Sequence, residues 1–398
     1  MKRTLCGSIG QSTPPRRRTT CEAHPNRRGS VLVLAAVMLV IVFGMAAFAV
    51  DLSYLSRTKT QLRNASDAAS LAAAIELPGG LGPAPTASAS VIKSTANTAA
   101  TTVAALQKNG NLNSTYVSPT RDIRYGTLTW NAGTAKWVTT WNATPANLVE
   151  VTTHRDQSGS GSDGKVPLFF APVIGTTSAS LNAKAAAALY PGVGVHIIPS
   201  SGKTAGILPI TLDDGTWTAL MAGTGTDNYR YDSATGTVTS GIDGIKEVSL
   251  YPVGNGSPGN RGTVNIGTNN NSTANLQRQI EFGLNESDLA PYGGSLRTDN
   301  GPLSLNGNPG ISAAIKSSLD TIIGKPRLIP IFTNLSGNGS NAKYTITKFV
   351  GVRIMYVQLT GGNKTVVIQP APYSASTVIP GKTAITTDTY WTKPRLAQ

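Results

Sequence analysis

Twenty consecutive apolar residues, Val31 to Val50, stand apart from the rest of the chain, and helical periodicity continues straight past them. At about 1.5 Å rise per residue such a run spans the roughly 30 Å hydrocarbon core of a bilayer. The following segment, Asp51 to Leu77, lacks Gly and Pro and is rich in Ala and Leu, so the pattern predicts one rod from Val31 to Leu77, on the order of 70 Å long. Along it Leu55, Leu62 and Ala69 recur every seven residues, as do Thr58, Ala65 and Ala72. We take Leu55, Leu62, Ala65, Ala69 and Ala72 as a packing seam, with Ser66 turned to solvent. The seam's neighbour is either the chain's own domain or another subunit, so the spine helix is a candidate route to a homo-oligomer.

A Pro/Gly/Ala linker, Pro78 to Ala89, leads to a second helical stripe of Ile92, Ala96, Ala99, Val103 and Leu106. Ser90 is its expected N-cap and Asn109-Gly110 its stop. From Asp122 the period shortens to two. DIRYGTLTW, KWVTT and NLVEVTTHR read as strands, with a turn over Asn131 to Ala135; VPLFFAPVIG follows a polar loop, and SASLNAKAAAAL is read as a strand despite its alanines. Tyr190-Pro191-Gly192 marks the expected domain boundary. Beyond it come further strands, HIIPSS, GILPITL, EVSLYPV, GTVNIG, RLIPIF, AKYTITKFVGVRIMYVQLT and KTVVIQP, with helices over Thr273 to Gly283 and Ile311 to Ile323. The expected class is α+β. It comprises a tail (1–30), a transmembrane helix (31–50), a spine helix with a small α+β region (51–190), and a β-dominated mixed domain (191–398).

Charge fixes the orientation expected of the span. Lys2, Arg3, Arg16, Arg17, Arg18, Arg27 and Arg28 all precede it, which places the N-terminus in the cytoplasm and the bulk outside. A cleaved signal peptide, a buried core helix and a prepilin-type leader cut near Gly29 are the alternatives; Leu34 stands where a prepilin peptidase usually requires Glu. The net charge is +14, but the basic residues beyond the tail are scattered and not interleaved with aromatics, so no nucleic-acid partner is expected. Both cysteines, Cys6 and Cys21, lie in the tail, leaving the exported part without a disulfide or Cys-based metal site.

The run RRGSVLVLAAVMLVIVFGMAAFAVDLSYLSRTKTQLRNASDAASLAAA resembles the N-terminal module of the Tad, or Flp pilus-assembly TadE/TadG-like, family. Asp51, Tyr54, Gln61, Leu62, Asn64, Ala65, Asp67, Ala68 and Ala69 carry the likeness. VPLFFAPVIG and SASLNAKAAAAL extend it over roughly the first half of the chain. The resemblance implies a membrane-anchored component of pilus assembly or tight-adherence secretion at the bacterial inner membrane, with other assembly subunits as partners. The von Willebrand A-type metal motif of some TadG proteins is absent; Asp51-Leu52-Ser53-Tyr54-Leu55 is the nearest match.

Candidate chemistry is sparse. His154 and His196 have no second ligand at metal spacing, and no Gly-x-Ser-x-Gly elbow occurs. The Gly254 to Gly259 run matches G-x-G-x-x-G but is followed by strand-like sequence, so it reads as a hairpin loop. Leu212-Asp213-Asp214-Gly215 reads as a turn with solvated acids. No enzyme, catalytic residue, cofactor or metal is expected. The alternative function is an anchored envelope protein whose β-rich ectodomain binds a ligand or surface polymer.

Overall fold

The structure is a computed structural model that describes residues 28–157, 162–251, 262–267, 272–337, 341–361 and 364–397. The tail before Arg28, with Cys6 and Cys21, lies outside the described residues, as do the loops holding Gly254 to Gly259 and Asn269 to Asn271.

The rod is a single α-helix, α1 (Arg28–Glu76), 49 residues long and extended by a 3-10 turn over Leu77–Gly80. Its apolar span from Val31 to Val50 is solvent-facing almost throughout, as suits a single-pass membrane anchor, whereas burial begins at Asp51. Past that point two i+4 ladders, Leu62-Ser66-Ser70-Ala74 and Ala65-Ala69-Ala73-Leu77, are fully buried. Ser66 is therefore not on the solvent side. It stays in the stripe because its hydroxyl donates to the Arg63 carbonyl at 2.9 Å, as Ser70 donates to Asp67 at 3.0 Å, so each serine packs as a small, satisfied side chain. Leu55 and Ala72 are half-buried.

Helix α2 (Ala89–Ala105) folds back on α1. Its cap is Ser88, two residues before the expected Ser90, and its buried face is Ala96, Ala100 and Ala104. Leu106 is exposed. Alanine on both helices lets the backbones approach closely, and the larger residues of the expected stripe are displaced to the edges.

The other side of α1 rests on an antiparallel sheet. Strands β1 (Ile123–Asn131), β2 (Lys136–Trp141), β3 (Leu148–Arg155) and β4 (Leu181–Ala188) lie in the order β2-β1-β3-β4. SASLNAKAAAAL is thus strand, as its alternation predicts, and its small residues suit a face pressed on a helix. A fifth strand comes from the chain's far end: Arg395–Leu396 pairs with β4, and Trp391 is buried in the α1–α2 core. The crossing at Pro191 is stitched on both sides, with Gly192 N–H donating to Tyr390 at 2.7 Å and Thr392 N–H donating to Tyr190 at 3.0 Å.

Residues beyond 191 build a seven-stranded sheet around one 17-residue strand, Ala342–Gln358. Pro326–Ser336 runs along one edge of it, while Leu303–Pro309 and then Thr365–Pro370 share the other. Bulges at Ile331/Phe332 and Ile354/Tyr356 bend the ladder, and both faces are covered. Ile329, Ile331, Val350, Val352 and Ile354 enter one cluster; Leu328, Phe332, Tyr344, Ile346 and Phe349 enter another. Burial on both faces is why these strands read as near-continuous apolar runs. The helix Thr273–Phe282 forms as expected, Ile311 to Ile323 shortens to a 3-10 turn and Lys316–Asp320, and HIIPSS is not a strand, since pairing over Gly192–His196 ends where it begins. Leu212-Asp213-Asp214-Gly215 is a helix start and not a solvated turn: Asp213 accepts from Thr216 N–H at 2.8 Å and caps Asp214–Met221.

Candidate functional site

Four of the residues that carry the resemblance, Asp51, Tyr54, Gln61 and Leu62, make the contacts of one joint just past the apolar span of α1. Asp51 sits in the first turn beyond the span and is buried. Its carboxylate accepts three backbone N–H bonds from one loop: Phe169 at 2.8 Å, Phe170 at 3.0 Å and Ala171 at 2.7 Å. Burial acts to raise its pKa, and the three amides more than offset this, so the carboxyl titrates below the ordinary range. One turn on, the Tyr54 ring meets Phe169 edge-on at 5.1 Å. The loop is VPLFFAPVIG, closed by a 3-10 turn over Ala171–Ile174 and the left-handed Gly175.

Two turns further, Gln61 Oε1 accepts from Gly110 N–H at 2.8 Å. Asn109-Gly110 therefore does not stop α2; it forms a separate tight turn pressed on α1. Gly110 has φ +56°, and a Cβ there would sit 3.0 Å from Tyr54 Oη and 3.1 Å from Thr58 Oγ1. Gly110→Ala should cost about 1–2 kcal/mol from the left-handed conformation and this crowding, read as a lowered denaturation midpoint. Leu62 contributes its carbonyl to Thr153 Oγ1 at 3.0 Å, which ties α1 to β3. Of the other matching positions, Ala65 and Ala69 are fully buried, Ala68 and Asp67 half-buried, and Asn64 exposed.

Arg155, at the end of β3, is the joint's buried cation. Its guanidinium donates to the Asn109 carbonyl at 2.9 Å, to Asn109 Oδ1, to Asn111 Oδ1 at 2.8 Å and to the Gly164 carbonyl. Desolvation pulls its pKa below the usual arginine value. Nothing in the sequence around HRDQ marks it, because Asn109 and Asn111 come from a turn more than forty residues away.

The ring contacts of the two histidines are to carboxylates and to a backbone carbonyl. His154 lies between two carboxylates, Nδ1 at 3.0 Å from Asp156 and Nε2 at 3.4 Å from Asp122, so both ring nitrogens are engaged. His196 Nδ1 meets the Gly294 carbonyl at 3.0 Å. Among the described residues no cluster of three His, Cys, Asp or Glu side chains is placed to hold a metal. A separate crevice of about 410 Å³ lies where the two halves meet, lined by Trp137, Tyr190, Lys382 and Arg395. There Trp137 contacts Trp130 at 5.4 Å and Tyr190 at 5.0 Å, with Lys382 4.8 Å from the Trp130 ring.

Residues 29–76 match the family described as putative Flp pilus-assembly TadE/G-like, and residues 86–187 match the one described as putative Tad-like Flp pilus-assembly. Both matches fall within residues 29–187, so the likeness to Tad proteins lies in the first half of the chain. Their matched ranges cover α1, α2 and the strands from β1 through most of β4, with every partner of Asp51, Gln61 and Arg155 named above. The Tad-matched region thus holds the whole joint. No curated protein and no solved structure matches.

The Asp51 clamp has a signed pH dependence. A carboxyl held below its unfolded pKa stabilises fully above about pH 4, and that contribution is lost as pH falls through the lowered folded value. A nitroxide at Thr176 should therefore stay ordered at neutral pH and gain mobility only in acid below the ordinary carboxylate range. Asp51→Asn should produce that mobility at neutral pH and accelerate amide exchange at Phe169 to Ala171 on the order of tenfold.

Proposed function

We propose that the protein is a non-enzymatic component of a Flp/Tad-type pilus or tight-adherence apparatus, anchored in the bacterial inner membrane with its N-terminus inside and residues 51–398 outside. The observation that carries this is the continuity of α1, which leaves the span without a break and becomes the centre of the Tad core. A helix packed against α2, β3 and β4, and tied through Asp51 and Gln61 to the Phe169–Ala171 and Gly110 backbones, holds the outer domains at one height above the bilayer, which suits a subunit that positions partners. The seam of Leu55, Leu62, Ala65, Ala69 and Ala72 then serves mainly intramolecular packing, a reading supported by the full burial of Leu62, Ala65 and Ala69 and the half-burial of Leu55 and Ala72. Contact with other subunits falls to the membrane half of α1 and to the β-rich surface. We propose 51–190 and 191–398 as the two extracytoplasmic units.

Protease added to spheroplasts should remove a C-terminal tag from the full chain and leave an N-terminal tag intact. Protection of the C-terminal tag would reverse the orientation.

The ligand-binding alternative rests on the crevice of Trp137, Tyr190, Lys382 and Arg395, whose aromatic faces and two cations suit an anionic polymer. Titrating the full chain with an acidic polysaccharide should quench tryptophan emission under this reading, and Lys382→Ala should weaken the response. Unchanged emission removes it.

A further inference from the structure

We propose that the loop Leu168–Gly175 is a second membrane contact, entering the leaflet at the Val50 end of the span beside α1. Its side chains are apolar and uncovered: Phe169 is 65% exposed, Phe170 47%, Val173 90% and Ile174 76%. No charged residue occurs between Val166 and Ser180. Uncovered apolar surface alone names no occupant, but this patch is continuous with the span. An apolar crevice of about 550 Å³ is lined on one side by Val40, Phe43, Ala47 and Val50, and on the other by Phe170 and Val173. Val40 to Val50 is about 15 Å of helix rise inside the apolar span, so the crevice that the loop shares with α1 opens onto a stretch that lies within hydrocarbon.

Most backbone N–H groups of the loop are bonded within the protein. A loop entering lipid must satisfy its own polar groups, since the bilayer core offers none. Leu168 N–H donates to Thr177; Phe169, Phe170 and Ala171 donate to the Asp51 carboxylate; Pro172 has no N–H. Val173 donates to Phe170, Gly175 to Pro172 and Thr176 to Ala171. The three amides aimed at Asp51 also solvate the carboxylate at the end of the span, where water is scarce. Lys165, exposed just before the loop, stands where a headgroup phosphate would meet it. Two anchoring points, a helix and a wedge, would fix the rotation of the ectodomain about the α1 axis, which one helix alone leaves free.

The test uses the full chain with Cys6→Ser and Cys21→Ser, reconstituted alone in phosphatidylcholine vesicles, with single nitroxides at Val173→Cys, Phe48→Cys in the span and Val138→Cys on β2. Power saturation is measured with oxygen, which partitions into lipid, and with a water-soluble nickel chelate. The label at 173 should match that at 48, oxygen-accessible and chelate-protected, and Asp51→Asn should move it toward water while the label at 48 stays unchanged. Ile174→Cys repeats the measurement should Val173→Cys fail to fold. A label at 173 that behaves like the one at 138 overturns the proposal. So does one shielded from both reagents, because protein and not lipid would then cover the loop. The outcome depends neither on the orientation of the span nor on a role in pilus assembly.

Discussion

Ala65→Lys should cost the folded chain at least about 3 kcal/mol, because a long charged side chain would enter a position with no exposed surface. Lysine at Ser66 should be comparably severe, since Ser66 is equally buried and its hydroxyl is already bonded to Arg63. Lysine at Asn64, which is exposed, should change stability by no more than about 0.5 kcal/mol. Denaturation of the full chain in detergent, followed by tryptophan emission, separates these outcomes. Equal tolerance at positions 64 and 65 would mean that α1 is not packed against its own domain.

Arg155→Met should cost about 3 kcal/mol for a different reason. The guanidinium ties the Asn109-Gly110 turn to the strand end at Gly164, and methionine fills much of its volume while leaving several buried oxygens without donors. Arg155→Lys should recover little, because an ammonium cannot span acceptors arranged around a planar fork. Because the same turn supports Tyr54 and Gln61, Arg155→Met should also raise amide exchange at Gly110. A variant as stable as the wild type would show the buried charge to be dispensable.

The elements most legible in the sequence were those with one dominant period. The twenty-residue apolar run and the Gly- and Pro-free stretch after it predicted a continuous rod, and the structure has one. The alternation in SASLNAKAAAAL outweighed its alanine content because that strand lies flat on α1, where small residues are required. Heptad spacing marked Thr58, Leu62, Ala65 and Ala69, all buried, but did not mark Ser66 and Ser70. The stripe follows i+4 ladders, and the serines within it look polar in sequence but are satisfied within their own helix. The acids of Leu212 to Gly215 read as solvated because a capping aspartate and a turn aspartate share a local signature, and only the helix behind them tells the two apart. Least legible was the joint itself. Asp51 and the amides of Phe169 to Ala171 are about 120 residues apart, Arg155 and Asn109 are 46 apart, and the last strand returns from residue 395 to complete the first sheet. The family likeness marked Asp51, Tyr54 and Gln61 as positions of interest. Their partners could be found only by folding the chain.

Pili per cell in the native host, counted by electron microscopy after chromosomal deletion of this chain, test the account most directly. The deletion strain should be bald and the full chain should restore pili, whereas residues 51–398 exported without α1's membrane half should not. Normal piliation in the deletion strain, or full rescue by the unanchored fragment, would contradict an anchored assembly role.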